Sequence, residues 1–292
     1  MDMLVISPNM TLLQNRIRAL STDLKKSASR LQQDVSVKDV HRLRTTIRRM
    51  ESLIGFTHPE VGRKQQKAVD ELNCLRKRAG KVRDLDIQMG LLGAIGNGST
   101  TADRRAMTDF LKARRNRQAV RLLSEVRDLD HHKFFLRMEK IGEKVGEAAA
   151  EGEEPSPLDQ ARNALQQMAG RAPARQALKA ARLHEMRISL RSIRYTAELA
   201  EDSEAKQELL DELRPVHDAI GEWHDWETLL ATAEKQFKGR VNCPLLVEMR
   251  ALLSAKFSSA VSSVHRLFVK IASSGNRKPT TPEVAPDLAR PA

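Results

Sequence analysis

Aromatic side chains are scarce in this 292-residue sequence, only 3% of it. That shortage argues against a surface built to stack nucleic-acid bases. Cysteine is nearly absent. Cys74 and Cys243 are the two present, and neither belongs to a CxxC pair. A disulfide framework and a zinc knuckle are therefore not indicated, and a reducing, cytoplasmic setting fits. No apolar run approaches the roughly 20 residues needed to cross a bilayer. The opening MDMLVISPNM lacks a basic segment followed by a long apolar one, so no secretory signal is expected. Typical strand formers are also thin on the ground. What fills the chain instead is Ala, Leu, Arg, Glu, Gln and Lys, the strong helix formers. Hydrophobic content is an ordinary 40%, enough to bury a core without staples. The composition predicts an all-α protein.

Acidic residues fall short of basic ones by 12, and the deficit is localised. Residues 1–150 hold 30 Lys and Arg against 18 Asp and Glu, while residues 151–292 hold 20 against 20. A basic excess of this size calls for an acidic partner: nucleic acid, an anionic membrane or a phosphate polymer. The alternative is a helical surface merely solubilised by its bases.

After a loose lead-in, helical periodicity runs from about Leu12 to Leu31. Ser36 with Asp39 marks the start of a second helix, which should end near Gly55. A third is expected from Glu60 to about Leu92, broken by Gly93, Gly96 and Gly98. Thr100 with Asp103 opens a fourth helical region reaching about Val145, with an interruption in view at Asp128–Asp130. AAAEGEEPSP (148–157) is the best internal boundary, because glycine, prolines and acids crowd one window. Helices are then expected over 157–170, 174–201, 205–237 and 244–272. This predicts two four-helix units, 10–150 and 151–272. The Pro-rich stretch 273–292 reads as a disordered tail.

The two units repeat one another. VHRLRTTIRRME (40–51) matches LHEMRISLRSIRYTAEL (183–199), and AGKVRDLD (79–86) matches IGEWHDWE (220–227). On a helix, Val40, Leu43, Ile47, Met50 and Ile54 make one apolar seam. His41, Arg44 and Arg48 follow the same steps one residue later, about 100° around the helix. Arg49 adjoins them. The second half repeats the device, with Leu183, Met186, Leu190, Ile193 and Ala197 as seam and His184, Arg187, Arg191 and Arg194 as basic row. In the next helix of each half, Arg76 and Arg83 flank Leu72, Leu75, Ala79 and Val82; Arg214, His217 and His224 flank Leu213, Val216, Ile220 and Trp223. Gly80 and Gly221 fall in those rows, where missing bulk permits a close approach. A solvated helix face normally mixes acids among its bases. Rows bordering a core, with no acid between their bases, point to an anion that neutralises them. Asp84, Asp86 and Asp225 adjoin the rows, where they orient an arginine or histidine or form plain surface ion pairs. Arg114, Arg117 and Arg121 form a further candidate row, set within a generally basic face.

The duplicated His-x-x-Arg-x-x-x-Arg pattern, each copy followed by a helix with an Arg/His–Asp step, resembles the CHAD family, the conserved histidine α-helical domain. The resemblance spans about residues 10–272. It implies two four-helix bundles related by a pseudo-twofold axis, with a central basic groove that binds inorganic polyphosphate. It also implies association with polyphosphate granules, where granule proteins are further candidate partners. By position, the family's histidines fall on His41 and His184. Its arginines fall on Arg44, Arg48, Arg49, Arg187, Arg191 and Arg194, with Arg83 in the later helix. His224 stands where the pattern has arginine, and Glu51 aligns with Arg194, so the halves are unequal. No ExExK-like strand of a fused triphosphate-processing domain is present.

Non-enzymatic binding of a linear polyanion, without cofactor or resident metal, is the expected function. Nucleic acid is the rival ligand, disfavoured by the aromatic shortage and by the lack of a helix-turn-helix or zinc-finger signature. A metal-dependent phosphohydrolase using His41, His184, His217, His224 and Asp225 is the other rival. Arginines stand where such a bundle would carry inward glutamates.

Overall fold

The structure, a computed structural model, describes residues 12–95, 101–151, 156–171, 175, 178–240 and 243–275. Among these residues there are nine α-helices and no strand. They are α1 (Leu12–Gln33), α2 (Val37–Thr57), α3 (Arg63–Ala94), α4 (Thr101–Asp128), α5 (His131–Glu151), α6 (Pro157–Gly170), α7 (Ala180–Glu198), α8 (Glu204–Gln236) and α9 (Pro244–Gly275).

Local chemistry sets several of these ends. The Ser36 hydroxyl accepts from the Asp39 N–H at 3.1 Å and donates to the Asp39 carboxylate at 2.6 Å, which satisfies an orphan donor at the start of α2. Ser156 and Asp159 do the same for α6, with Pro157 in the first turn. Ser203 caps α8 by accepting from the Lys206 N–H. The end of α2 departs from the expected stop near Gly55. The helix continues to Thr57, and His58 closes it in the left-handed region at φ 42°, donating its N–H to the Ile54 carbonyl.

The first half holds five helices rather than four. The expected interruption at Asp128–Asp130 is a complete break: Asp130 accepts from the Lys133 N–H and starts α5 afresh. At the other end, α9 runs on to Gly275 and takes in the first residues of the stretch read as tail. The rest of that stretch, 276–292, lies outside the described residues, as does the lead-in. The window 148–157 covers the last residues of α5 and the first residue of α6.

Three apolar clusters hold the helices together. One gathers α1, α2, α3 and α5 with the C-terminal part of α4, through residues such as Ile17, Leu43, Leu72, Leu122 and Phe134. A second gathers α6 to α9 around Leu183, Leu213, Trp223 and Val264. The third joins the two halves: the ends of α3 and α4 meet those of α8 and α9 at Leu92, Leu111, Trp226, Leu245 and Met249. Each seam read from the sequence is inside. Val40, Leu43, Ile47 and Met50 are fully buried, as are Leu72, Ala79, Val82, Leu183, Ala197 and Leu213, and only Ile54 is partly exposed.

Candidate basic site

Burying four seams fixes where the basic rows go, because each row sits about 100° round its helix from a buried face. Helix α2 packs on α7, and α3 packs on α8. The rows of the two halves therefore meet across the join. Arg44 acts on Arg187 and on Arg191, and Arg48 acts on both as well. All four guanidinium groups are half-buried. Burial followed by the charge of neighbouring Arg48 lowers the Arg44 pKa to about 10, and burial followed by Arg187 does the same at Arg191. Burial is also the first cause of the lowered value at Arg187. These cations lose solvation and repel one another. The buried Nε of Arg44 has no hydrogen-bond partner.

Four carboxylates offset part of this: Glu51 attracts Arg44 and Arg48, and Glu227 attracts Arg187. Asp84 on α3 and Asp225 on α8 both attract Arg187, and Asp84 attracts Arg44. Asp225 is itself held above the usual carboxylate range, by burial first and with Asp84 adding to it against the pull of Arg187. Arg83 faces His41 and Asp225. The expected close approach at Gly80 is real, but the arriving group is the protein's own Arg44. A Cβ on Gly80 would stand 3.5 Å from the Arg44 Nε, whereas one on Gly221 would meet open space.

The histidines divide. His41 is exposed at the margin and is held below its ordinary pKa by burial, then by Arg83 and Arg44. His184 and His224 stack obliquely, with ring centroids 5.1 Å apart. His224 is pushed down to about 4, by burial first and then by Arg187 and His184. His217 turns to the backbone instead, its Nε2 lying 3.0 Å from the Leu190 carbonyl of α7. It straps α8 to α7.

Other expected members of the rows carry partners of their own. Arg49 Nε donates to Glu198 at 2.9 Å, and Arg194 Nε donates to the same carboxylate at 3.1 Å. Arg76 donates to Glu51 at 2.7 Å and to Asn73. Arg214 is exposed and paired with Asp211 at 2.9 Å. On α4, Arg114 lies over the Phe110 ring, and Arg117 and Arg121 are exposed. Asp86 faces away from the rows; buried against α4, it accepts from Arg115 at 3.0 Å.

Three contributors were not read from the sequence. Glu198 ties the two halves together. Arg16 on α1 reaches the backbone carbonyls of Glu198 and Ala200. Tyr195, the single tyrosine, acts on Arg44 and Arg191. The four-residue step from Arg194 to Glu198 is a visible ion-pair signal. The long-range partners of Glu198 leave no trace in the sequence.

Of the groups proposed for a metal, His184 and His224 come together, and their third neighbour is Glu227 rather than Asp225. Their ligand atoms all lie within 4.8 Å of one another. Glu227 already holds His224, Nδ1 to Oε2 at 3.2 Å. The positive charge of Arg187 and Arg191 bears on the same histidine and opposes a divalent cation there. Among the described residues no helix is long and apolar enough to cross a membrane.

The comparisons agree with this framework. The chain is similar in structure to the crystal structure of the CHAD domain from the plant Ricinus communis, with a TM-score of 0.65 over 92% of this chain and 95% of that one. The two are 16% identical, so the likeness speaks for the fold alone. No curated protein matches. The CHAD domain sequence profile matches residues 15–234, most of the length and all four helices that carry the converged rows. The chain belongs to the CHAD domain family.

Proposed function

We propose that the protein binds inorganic polyphosphate, without catalysis, in a cleft where the basic rows of two repeat-related halves face each other. One observation carries this reading. Arg44, Arg48, Arg187 and Arg191, drawn from two helices on either side of the join, lie half-buried within electrostatic reach of one another, and none forms an ion pair among the described residues. A fold that holds such repulsion in place is predisposed toward a ligand of high negative charge density. Arginine suits it, because a planar fork grips two phosphate oxygens at once. Rows at helical spacing make a track, which suits a repeating polymer better than a single small anion.

The internal repeat supports a pseudo-twofold arrangement of two bundles, with the extra break between α4 and α5 as a local departure. The family resemblance supports polyphosphate over nucleic acid, and the 3% aromatic content weighs the same way. Polyphosphate granules are the setting this reading proposes, with granule proteins as further partners.

The test is a calorimetric titration of the purified protein with long-chain polyphosphate, competed against single- and double-stranded DNA at equal charge and salt. Saturable binding that DNA displaces poorly is expected. Equal displacement by DNA would make the ligand nucleic acid or any polyanion. Phosphate release is measured in the same samples with added zinc, manganese or a chelator. Turnover lost in a His224→Gln variant would make the protein an enzyme.

A further inference from the structure

The two rows end alike with respect to charge. Along α7, Arg187 and Arg191 form no ion pair among the described residues, while Arg194 is satisfied by Glu198 one turn on. Along α2, Arg44 and Arg48 form no ion pair among the described residues, while Arg49 is satisfied by the same Glu198. One carboxylate thus uses its two oxygens on one arginine from each half, Arg49 and Arg194. Its side chain is only 15% exposed, and its backbone carbonyl accepts from Arg16 on α1. A solvated surface acid would be held by none of these. Glu51 on α2, three residues past Arg48, holds Arg76.

We infer that Glu198 is a specificity-determining residue: it serves as a built-in counter-anion for Arg49 and Arg194 and ends the polyanion track at Arg48 and Arg191. This rests on the reading of the converged rows as a polyphosphate site. Phosphate units that lie over Arg44, Arg48, Arg187 and Arg191 meet cations that carboxylates attract only through space, with no ion pair formed by any of the four among the described residues. The next units along meet guanidinium groups whose Nε–H donors are already taken by a fixed negative charge. The length of polymer held, and so the preference among chain lengths, is set by where that carboxylate sits.

The experiment is a titration with long-chain polyphosphate across a salt series, comparing the wild-type protein, Glu198→Gln and Glu125→Gln. Glu125 pairs with Arg78 on α3, outside the rows, and its replacement changes net charge equally. Glu198→Gln is expected to bind about fivefold or more tightly, since two charge-assisted contacts become available. Its dependence on salt is expected to steepen by the counterions of one or two further contacts. Glu125→Gln is expected to show neither change. A folded Glu198→Gln protein that binds no better than wild type, or a Glu125→Gln protein that gains as much, would overturn the inference. Should Glu198→Gln fail to fold, Glu198→Asp keeps the charge but draws it back from both arginines. A smaller gain is then expected, and no gain overturns the inference. If the wild-type protein itself does not bind polyphosphate, the functional reading fails and this inference with it. If wild type binds and only the gain is missing, this inference alone fails.

Discussion

The guanidinium of Arg44 rests over Gly80, so that helix α3 supplies a flat floor beneath a half-buried cation of α2; a Cβ at that floor would stand 3.5 Å from Nε. That is ordinary contact distance, and it separates two substitutions. Gly80→Ala is expected to leave polyphosphate binding intact and to stabilise α3 by about 0.5–1 kcal/mol, the usual gain in a helix interior. Gly80→Leu must push Arg44 aside, and is expected to weaken binding while the helix content stays unchanged. Circular dichroism with a binding titration of both variants checks this. Equal binding by the two would mean that the position of Arg44 does not matter.

Charge is abundant on this protein, so location must be separated from amount. Replacing Arg44, Arg187 and Arg191 together by Ala removes three charges from the convergence. Replacing Lys26, Lys235 and Lys238 removes three from exposed positions. The first set is expected to lose about 1–3 kcal/mol of binding per contact and to flatten the salt dependence. The second is expected to change binding little. Two folded triple variants of equal affinity would show that the ligand responds to net charge alone.

The seams were readable because burial on one helix face repeats at three- and four-residue steps, and Val40 to Met50 and Leu183 to Ala197 keep that step throughout. The rows were readable for the same reason, as a second phase of one periodicity. Direction and partnership were harder. Asp84 and Asp86 are neighbours in the sequence, yet two residues are about 200° of helix. Asp84 faces the arginines, while Asp86 is buried on Arg115. Arg49 is named by the family resemblance, and its partner lies 149 residues away. The row Arg114, Arg117 and Arg121 has the right spacing without the second property, a buried flank that brings it to the join.

The histidines give the site a pH dependence whose sign follows from their environment. His224 titrates at about 4 rather than 6.5 in the folded, ligand-free protein, and His41 and His217 are also lowered. Between those two values the unfolded chain binds more protons at His224 than the folded one, so the free protein loses stability as pH falls through that window. A bound polyanion opposes the repulsion and raises these values, so binding takes up protons. Affinity is therefore expected to rise as pH drops from 7 toward 5. The free protein should melt lower at pH 5 than at pH 7, and the polyphosphate-induced rise in Tm should be larger at pH 5. His224→Gln should shrink that difference. A ligand-induced shift that is the same at both pH values would place the histidines outside the electrostatics of binding.

A site that stores repulsion should be less stable than the same fold without it. Arg191 is half-buried, and burial followed by the charges of Arg187, Arg48 and Arg44 lowers its pKa to about 10. It donates no hydrogen bond among the described residues, so replacing it leaves no acceptor stranded. Methionine keeps the unbranched stem and its contacts while deleting the charge. Removing one like charge from such a group costs no pairing energy, removes that charge's own desolvation cost and relieves the repulsion on its neighbours. Arg191→Met is accordingly expected to raise the Tm of the free protein by a few degrees and to weaken polyphosphate binding about tenfold or more. Arg115→Met is the contrasting case. It strands the buried Asp86 carboxylate and the Val35 carbonyl, and should lower Tm sharply without a comparable effect on the ligand. Opposite signs in Tm from two arginine deletions of equal charge distinguish a cation kept for a ligand from one kept for the fold. If Arg191→Met lowers Tm as Arg115→Met does, Arg191 belongs to the scaffold, and the convergence of the rows is packing rather than a site.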